Sequence, residues 1–135
     1  MKKAYLLTWN PDNWNWPVYK EKVQAAKEGK AVIESWTSSS EQPKVGDQVF
    51  LLKTKVGIIG HGHVEKASYD APHYNSEKAK DGLTTNHIDV KFDWLMDETE
   101  NNYISIDLLE SVFPKQTWRP QSSGIEIKEE YINNL

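Results

Sequence analysis

Cysteine is absent from this sequence of 135 residues. Its absence excludes a disulfide framework and every zinc site built on cysteine. No apolar run follows Lys2 and Lys3 that could act as a signal peptide, and no apolar stretch reaches the roughly 20 residues of a membrane-spanning helix. We therefore expect a cytoplasmic protein without a membrane partner, in keeping with a reducing compartment.

Arginine is almost absent. The chain contains one, Arg119, together with fifteen lysines, and its net charge is −4. A protein that binds nucleic acid by bulk neutralisation of phosphates needs many cationic contacts, so this charge balance argues against that mode. It does not exclude a protein that holds one base in a pocket and touches a few phosphates.

Motifs for catalysis are also missing from the sequence. There is no cysteine nucleophile and no glycine-flanked serine elbow. The glycines of GIIGHG, residues 57–62, lack the spacing and the following helix of a dinucleotide site. We therefore predict that the protein is not an enzyme, and we assign it no catalytic residues, no cofactor and no metal ligands.

Tryptophan, in contrast, is abundant, with six residues in the chain. Three lie in Tyr5–Pro17, YLLTWNPDNWNWP, where the turn-forming Asn10–Asn13 separates Trp9 from Trp14 and Trp16. Trp9 falls on the apolar face of a predicted strand, which favours a core position. Exposing two tryptophans in a loop is costly, and one interpretation is that at least one of them lines a pocket for a flat ring. The alternative is that one packs under the following helix as a hydrophobic staple.

An apolar–polar alternation with a period of two dominates the chain and predicts strands. We expect five or six of them, at Ala4–Trp9, Ala31–Trp36, Gln48–Lys53, Val56–Glu65, His87–Leu95 and the end of Gln121–Ile127. Two or three short helices are predicted, from Pro17 to about Gly29, from an N-cap at Ser105 to about Val112, and in the last turns of 128–135. Tyr69–Asn86 is polar and is expected to be irregular. Residues 1–135 are predicted to form one α+β domain around a small closed or nearly closed β-barrel, because closure removes exposed sheet edges.

Two details of the predicted strands concern how they pack. Gly60 and Gly62 indicate that a neighbouring strand approaches closely or that the strand bends there. In His87–Leu95 the alternation predicts one inward face, made of Ile88, Val90, Phe92 and Trp94.

Four segments in a fixed order resemble the EVE domains of the PUA-like superfamily, which are related to the YTH readers. The segments are YLLTWNPDNWNW, then VIESW, then KVGDQVFLLKT followed closely by VGIIGHGHV, and finally TWRPQSSGIEI. The resemblance covers Lys3 to about Tyr131 and is strongest to EVE domains fused to HNH nucleases in bacterial modification-dependent restriction.

This resemblance implies a PUA-like barrel with a pocket for an extruded nucleobase. By motif position, Trp36 is expected to form one wall, and Trp14 or Trp16 a second aromatic surface. Stacking of a base on an aromatic side chain contributes about 1–3 kcal/mol, comparable to the few kcal/mol lost when a base leaves a duplex. Polar residues that read the base edge would border the same pocket: Asn10, Ser38, Ser39, Gln121 and Ser123. Cationic residues would contact the flanking phosphates: Arg119, Lys53 and Lys55.

The expected function is recognition, without catalysis, of a modified base such as methylated or hydroxymethylated cytosine in DNA. The resemblance places such a module as the sensor of a restriction or defence system, with an HNH nuclease domain or subunit outside this chain, since the sequence contains no HNH motif. Two alternatives remain open. One is RNA binding, because PUA-like barrels also bind RNA. The other is a metal-dependent enzyme that uses His61 and His63 with a third ligand from His73, His87 or Asp89.

Overall fold

Strands and helices follow the predicted alternation closely in the first half of the chain. The computed structural model describes residues 3–12, 16–38, 41–72, 84–97, 99, 103–120, 123–128 and 131. The elements are β1 (Ala4–Trp9), α1 (Tyr19–Lys27), β2 (Val32–Thr37), β3 (Gln48–Lys53), β4 (Gly57–Pro72), β5 (Thr84–Leu95), β6 (Ile104–Ser105), α2 (Ile106–Val112) and β7 (Ile125–Glu126).

One mixed sheet contains all seven strands of the described residues. Its order is β2-β5-β4-β3-β1-β7, with β6 paired to β4. β1 and β3 run parallel, and the other pairs are antiparallel. The predicted α+β class is confirmed, but backbone hydrogen bonds do not close the sheet into a barrel within this part of the chain. Instead, the indole Nε1 of Trp36 on the edge strand β2 donates to the carbonyl of Thr8 on β1 at 2.9 Å. The sheet therefore curls until its β2 edge lies beside β1.

Each face of the sheet carries its own hydrophobic core. The first core lies inside the curl and is covered by α1 through Tyr19 and Val23; it also contains Tyr5, Leu7, Trp9, Trp16, Val32, Trp36, Val49, Leu51, Ile59, Val64, Ile88, Val90, Phe92 and Leu95. The second core lies on the other face and is covered by α2 through Ile106 and Leu109; it also contains Ala4, Leu6, Phe50, Leu52, Ile58, Phe113, Trp118 and Ile127. Burial on both faces explains why β1 and β3 read as nearly continuous apolar runs.

The predicted end of α1 at Gly29 and the predicted cap of α2 at Ser105 are confirmed, whereas α1 begins later than its predicted start at Pro17. α1 starts at Tyr19, two residues after Pro17, and Gly29 stops it in a left-handed conformation (φ 74°) with its N–H bonded to the Ala26 carbonyl at 3.1 Å. Ser105 caps α2, because its Oγ accepts from the Leu108 N–H at 3.2 Å. Apart from Tyr131, the predicted final helical turns beyond residue 128 lie outside the described residues.

No helix in the described ranges is long and apolar enough to cross a membrane.

The segment Tyr69–Asn86 differs from its prediction as irregular structure. β4 continues to Pro72 and β5 already begins at Thr84, with Tyr69 opposite His87 and Asp70 opposite Asn86. The antiparallel backbone ladder forms here although the sequence lacks an apolar alternation, which is the pattern by which a half-buried strand is predicted. Residues 73–83 lie outside the described residues.

A bulge in β5 changes the face on which Trp94 lies. The register pairs Gly62 with Phe92 and His61 with Trp94, so Asp93 is an extra residue on β5. Trp94 consequently packs against the second core, whereas Phe92 belongs to the first core, and the prediction that both share one face is wrong. The predicted close approach at Gly62 is confirmed, because a Cβ at this position would lie 2.3 Å from the Lys91 carbonyl oxygen.

Candidate nucleic-acid interface

Two predicted site residues from distant segments meet at Thr8, the last residue but one of β1. Trp36 on β2 donates from Nε1 to the Thr8 carbonyl at 2.9 Å, and the Thr8 N–H donates to Ser123 Oγ at 3.0 Å. Ser123 is held there because the next residue, Gly124, bonds through its N–H to the Leu6 carbonyl at 2.9 Å. The carboxyl end of β1 therefore joins β2 to the segment before β7.

Four aromatic rings pack beside this point, and we call Trp9, Trp16, Tyr19 and Trp36 the aromatic cluster. Trp16 lies at its centre, with ring centroids 5.2 Å from Trp9, 5.0 Å from Tyr19 and 4.9 Å from Trp36. Trp16 adopts a positive φ of 42°, a conformation that a bulky side chain seldom takes, and its carbonyl accepts from the Tyr19 N–H at 3.0 Å. The turn into α1 thus aims the indole inward.

The geometry of this cluster changes the role predicted for Trp16. Its ring meets Trp36 edge to face at an interplanar angle of 72°. A base held between two rings needs about 7 Å between them, twice an optimal carbon–carbon contact, so these two indoles cannot enclose one in this arrangement. Trp16 is 1% exposed and Trp36 4% exposed. Trp16 therefore packs against Trp36 instead of facing it across a gap. Trp14, the other candidate for the second wall, lies outside the described residues.

The polar residues predicted to border the pocket have different surroundings. Ser38 is buried, and its backbone exchanges two bonds with Asn86 of β5: Ser38 N–H to the Asn86 carbonyl at 3.0 Å, and Asn86 Nδ2 to the Ser38 carbonyl at 3.2 Å. Asn10 accepts the Asp12 N–H at 3.0 Å and thereby forms the turn after β1. Ser39 and Gln121 lie outside the described residues. Sequence analysis missed Asn86, because it stands in the segment predicted to be irregular.

Lys53 and Lys55 lie next to the end of β1. Lys53 is opposite Trp9 in the parallel ladder, with its Nζ 4.9 Å from the Trp9 ring centroid, a cation–π contact. Lys55 is exposed in the turn to β4, and the preceding Thr54 N–H bonds to the Trp9 carbonyl at 2.9 Å. Lys53 therefore contacts the aromatic cluster through its side chain, and Lys55 borders it through the backbone bond of the preceding Thr54.

Arg119 and its neighbour Trp118 belong to a different part of the structure. Arg119 pairs with Glu110 of α2 at 3.2 Å, with both side chains exposed. Trp118 is buried in the second core, and its Nε1 donates to the Phe113 carbonyl at 3.1 Å. The structure thus attaches Arg119 to the helix on the face opposite the aromatic cluster.

Asp97 is a charged neighbour of the site that sequence analysis missed. Its carboxylate accepts the Thr99 N–H at 3.0 Å and the Thr99 hydroxyl at 2.9 Å. The backbone bond from Thr99 is the largest cause that lowers the pKa of Asp97, and Lys20 and Lys53 lower this pKa further. Asp97 is therefore ionised at neutral pH and offsets part of the positive charge of Lys53.

The residues of the alternative metal site are not grouped as predicted. His87 is buried and stacks on Tyr69 with ring centroids 6.1 Å apart, and Asp89 accepts a hydrogen bond from the Tyr69 hydroxyl. Burial first and Asp89 second raise the pKa of Tyr69. Neither His87 nor Asp89 joins the cluster that contains His61 and His63; the third member is Asp93. His73 lies outside the described residues.

Comparison with known proteins places this fold among solved structures. No protein-family model matches the sequence, and no curated protein matches it significantly. Human THYN1, in a complex with DNA containing 5-methylcytosine, is similar at a TM-score of 0.62 and 16% identity, over 98% of this chain and 95% of that chain. A Pseudomonas syringae protein gives a TM-score of 0.60 at 16% identity, over 94% and 93% of the two chains. A mutant of ZmASCH from Zymomonas mobilis gives 0.57 at 14% identity, over 98% and 96%. The chain therefore has the fold of these three structures, and the resemblance seen in the sequence is supported at the level of the fold.

Proposed function

We propose that this protein binds nucleic acid and accepts a modified base, of the methylated-cytosine class, at the carboxyl end of β1. The observation that carries the proposal is the meeting of Trp36 and Ser123 on the backbone of Thr8, beside the aromatic cluster and two lysines. A protein of the same fold, human THYN1, is bound to DNA containing 5-methylcytosine. The proposal transfers that class of ligand to this chain.

The aromatic cluster would supply the stacking surface. The Trp36 ring is held by its hydrogen bond to Thr8 and by packing against Trp16, so these contacts oppose its displacement when a base binds. Because only 4% of Trp36 is exposed, a neighbouring group has to move aside before a base can stack on it. Stacking would contribute about 1–3 kcal/mol, and burying one methyl group about 1 kcal/mol.

Two lysines at the rim would hold the flanking phosphates. Lys53 and Lys55 are next to the end of β1, and a few such contacts suit a protein of net charge −4 better than a broad cationic surface. Binding would then depend on one base and a small number of phosphates.

The test is a binding panel of short duplexes that differ in one base: unmodified, 5-methylcytosine, 5-hydroxymethylcytosine and N6-methyladenine. We expect at least a tenfold preference for one modified cytosine at near-physiological salt, with a change in tryptophan fluorescence because a base reaches the aromatic cluster. The variant Trp36→Phe removes the indole N–H that bonds to Thr8 and part of the stacking surface, and should lower this affinity about tenfold.

Trp118→Phe is the matched control. Trp118 is also buried and also donates Nε1 to a backbone carbonyl, but it belongs to the second core on the opposite face of the sheet. The control should lose a similar amount of stability while keeping the preference. Equal loss of preference in both variants, or flat binding across the panel, would contradict the proposal. Tighter binding to a single-stranded RNA of the same sequence would favour the RNA alternative, since an unpaired base needs no flipping.

Recognition without catalysis is part of this proposal, as is the role of a sensor in restriction with an HNH nuclease on another domain or subunit. The first rests on the missing catalytic motifs, and the second on the resemblance of the four sequence segments. Incubation of the preferred duplex with this chain and Mg²⁺ should therefore leave the DNA intact.

A further inference from the structure

We propose that His61, His63 and Asp93 bind a divalent transition-metal ion of the Zn²⁺ type on the face of the sheet opposite the aromatic cluster. One ligand atom from each of the three residues lies within 4.8 Å of the other two. Imidazole nitrogens with one carboxylate oxygen are a donor set that suits zinc and its neighbours in the first transition row.

Strand geometry brings these residues together. His61 and His63 are two residues apart on β4, so both side chains project from the same face, with ring centroids 5.3 Å apart. His61 packs on Phe50 of the second core at a centroid distance of 4.8 Å, which restricts its ring. On β5 the bulge inserts Asp93 between the residues opposite His61 and Gly62, and its carboxylate faces the two histidines.

The distances fit a site that closes around an ion with little movement. Asp93 Oδ2 is 3.5 Å from His63 Nδ1, and Asp93 Oδ1 is 2.7 Å from His61 Nδ1. Ligand atoms around a tetrahedral zinc ion with bonds of 2.0–2.2 Å are about 3.3 Å apart. The two pairs involve different oxygens of the carboxylate, so with Asp93 as a single-oxygen ligand the side chains would rotate to bring their ligand atoms, which lie within 4.8 Å of one another, to this separation.

Gln48 on β3 orients the His61 ring for this role. Gln48 Oε1 lies 3.1 Å from His61 Nε2 and accepts from this ring when the ring proton is on Nε2. In that tautomer the Nδ1 lone pair points toward Asp93 Oδ1, 2.7 Å away, where a metal ion would be shared between the two atoms. An outer residue that fixes the ring tautomer is a usual feature of histidine metal ligands.

The site is separate from the proposed base-binding surface. Gln48, Phe50 and Leu52 alternate onto the second-core face of β3, and in the ladder Gln48 pairs with His63 and Phe50 with His61. The aromatic cluster belongs to the first core. Side chains of His63 and Asp93 are about half exposed, at 48% and 52%, so an ion would retain coordination positions open to water. Metal binding therefore neither requires nor disproves modified-base recognition.

Titration calorimetry of tag-free protein with ZnCl₂ in a non-chelating buffer at pH 7 tests the site. We expect one ion per chain and a rise of about 3 °C or more in the unfolding temperature at saturating Zn²⁺, because the ion binds only the folded arrangement. Mg²⁺ should not compete, since it prefers oxygen ligands. His63→Gln and Asp93→Asn should each weaken Zn²⁺ binding at least about tenfold.

Glu65→Gln is the control, because Glu65 is an exposed carboxyl on the same strand, two residues beyond His63, and is not a member of the cluster. It removes the same charge as Asp93→Asn and should leave the affinity within about threefold, as expected for an exposed neighbouring charge that is not a ligand. Circular dichroism of each variant establishes that it is folded. Absence of Zn²⁺ binding to the wild type, equal binding by all three variants, or one ion for every two chains would each overturn the proposal.

Discussion

Thr8 is the residue around which the candidate interface is organised. Its carbonyl accepts from Trp36 and its N–H donates to Ser123, so one residue of β1 binds side chains that lie 28 and 115 positions away in sequence. Nothing in the local sequence of Thr8 indicates this role. Trp36 and Ser123 could be named from their motif positions, because the resemblance concerns those segments, but their bonds to Thr8 are long-range contacts.

Asp97 gives a prediction for the dependence of stability on pH. Its pKa is lowered below the ordinary 3.8, first by the backbone bond from Thr99 and also by Lys20 and Lys53. A carboxyl whose folded-state pKa is lower than its unfolded value contributes stability above the unfolded value and loses it as pH falls through the folded value. Asp97→Asn should therefore reduce the free energy of unfolding at pH 7 by about 1 kcal/mol or less, as for exposed ion pairs. The difference from wild type should shrink as the pH falls below 3.8 and vanish only below the lowered pKa of the folded state.

Urea unfolding at a series of pH values measures this difference. Glu41→Gln, which removes an exposed carboxyl, is the control and should change stability little at any pH. A wild-type advantage over Asp97→Asn that grows toward low pH would contradict the predicted sign.

At the scale of elements, β4 and β5 decide the geometry of the proposed metal site. Their pairing is interrupted by register shifts, and the shift between His61 and Gly62 turns both Asp93 and Trp94 to the second-core face. The alternation in His87–Leu95 predicts the strand correctly but not this change of face. A bulge depends on the partner strand, so the sequence of one strand cannot specify it.

Gly62→Ala tests how closely the two strands approach. The added Cβ would lie 2.3 Å from the Lys91 carbonyl oxygen, a backbone atom that can move only if the ladder moves. We expect a loss of about 1–3 kcal/mol in the free energy of unfolding, as for other overpacking substitutions, measured by urea denaturation.

Gly60→Ala on the same strand is the comparison. Its Cβ would meet Leu95 Cδ1 at 3.1 Å and the Trp94 carbonyl at 3.3 Å, contacts that smaller shifts can relieve. The loss should be clearly smaller than for Gly62→Ala. Equal stability of the two variants would mean that β4 and β5 are not held as closely at Gly62 as this geometry requires.

At the scale of the whole molecule, the net charge and the positions of the cationic side chains determine the kind of nucleic-acid binding that we expect. The chain has a net charge of −4, while Lys53 and Lys55 border the aromatic cluster and Arg119 is paired on the opposite face. Such a protein would contact few phosphates, so its affinity for DNA should depend only weakly on salt compared with a strongly basic protein.

Lys55→Gln measures one of these phosphate contacts. It should weaken binding to all duplexes of the panel by a similar factor, about two- to fivefold, and reduce the slope of log affinity against log salt by about 1. Lys44→Gln, in the turn at the opposite end of β3, is the control and should leave the slope unchanged. An unchanged slope for Lys55→Gln would remove Lys55 from the interface.

The sequence by itself determined the positions of β1, β2 and β3, the end of α1 at Gly29, the cap of α2 at Ser105 and the α+β class. These features depend on side-chain periodicity and on neighbours a few residues apart, which are visible in a single segment. Only the tertiary structure decided that the sheet curls without closing, that Trp16 contacts Trp36 edge to face, and that Asp93 rather than His87 or Asp89 joins His61 and His63. Each of these results depends on the register and distance between segments far apart in sequence, because strand pairing and core packing place side chains that no local pattern relates to one another.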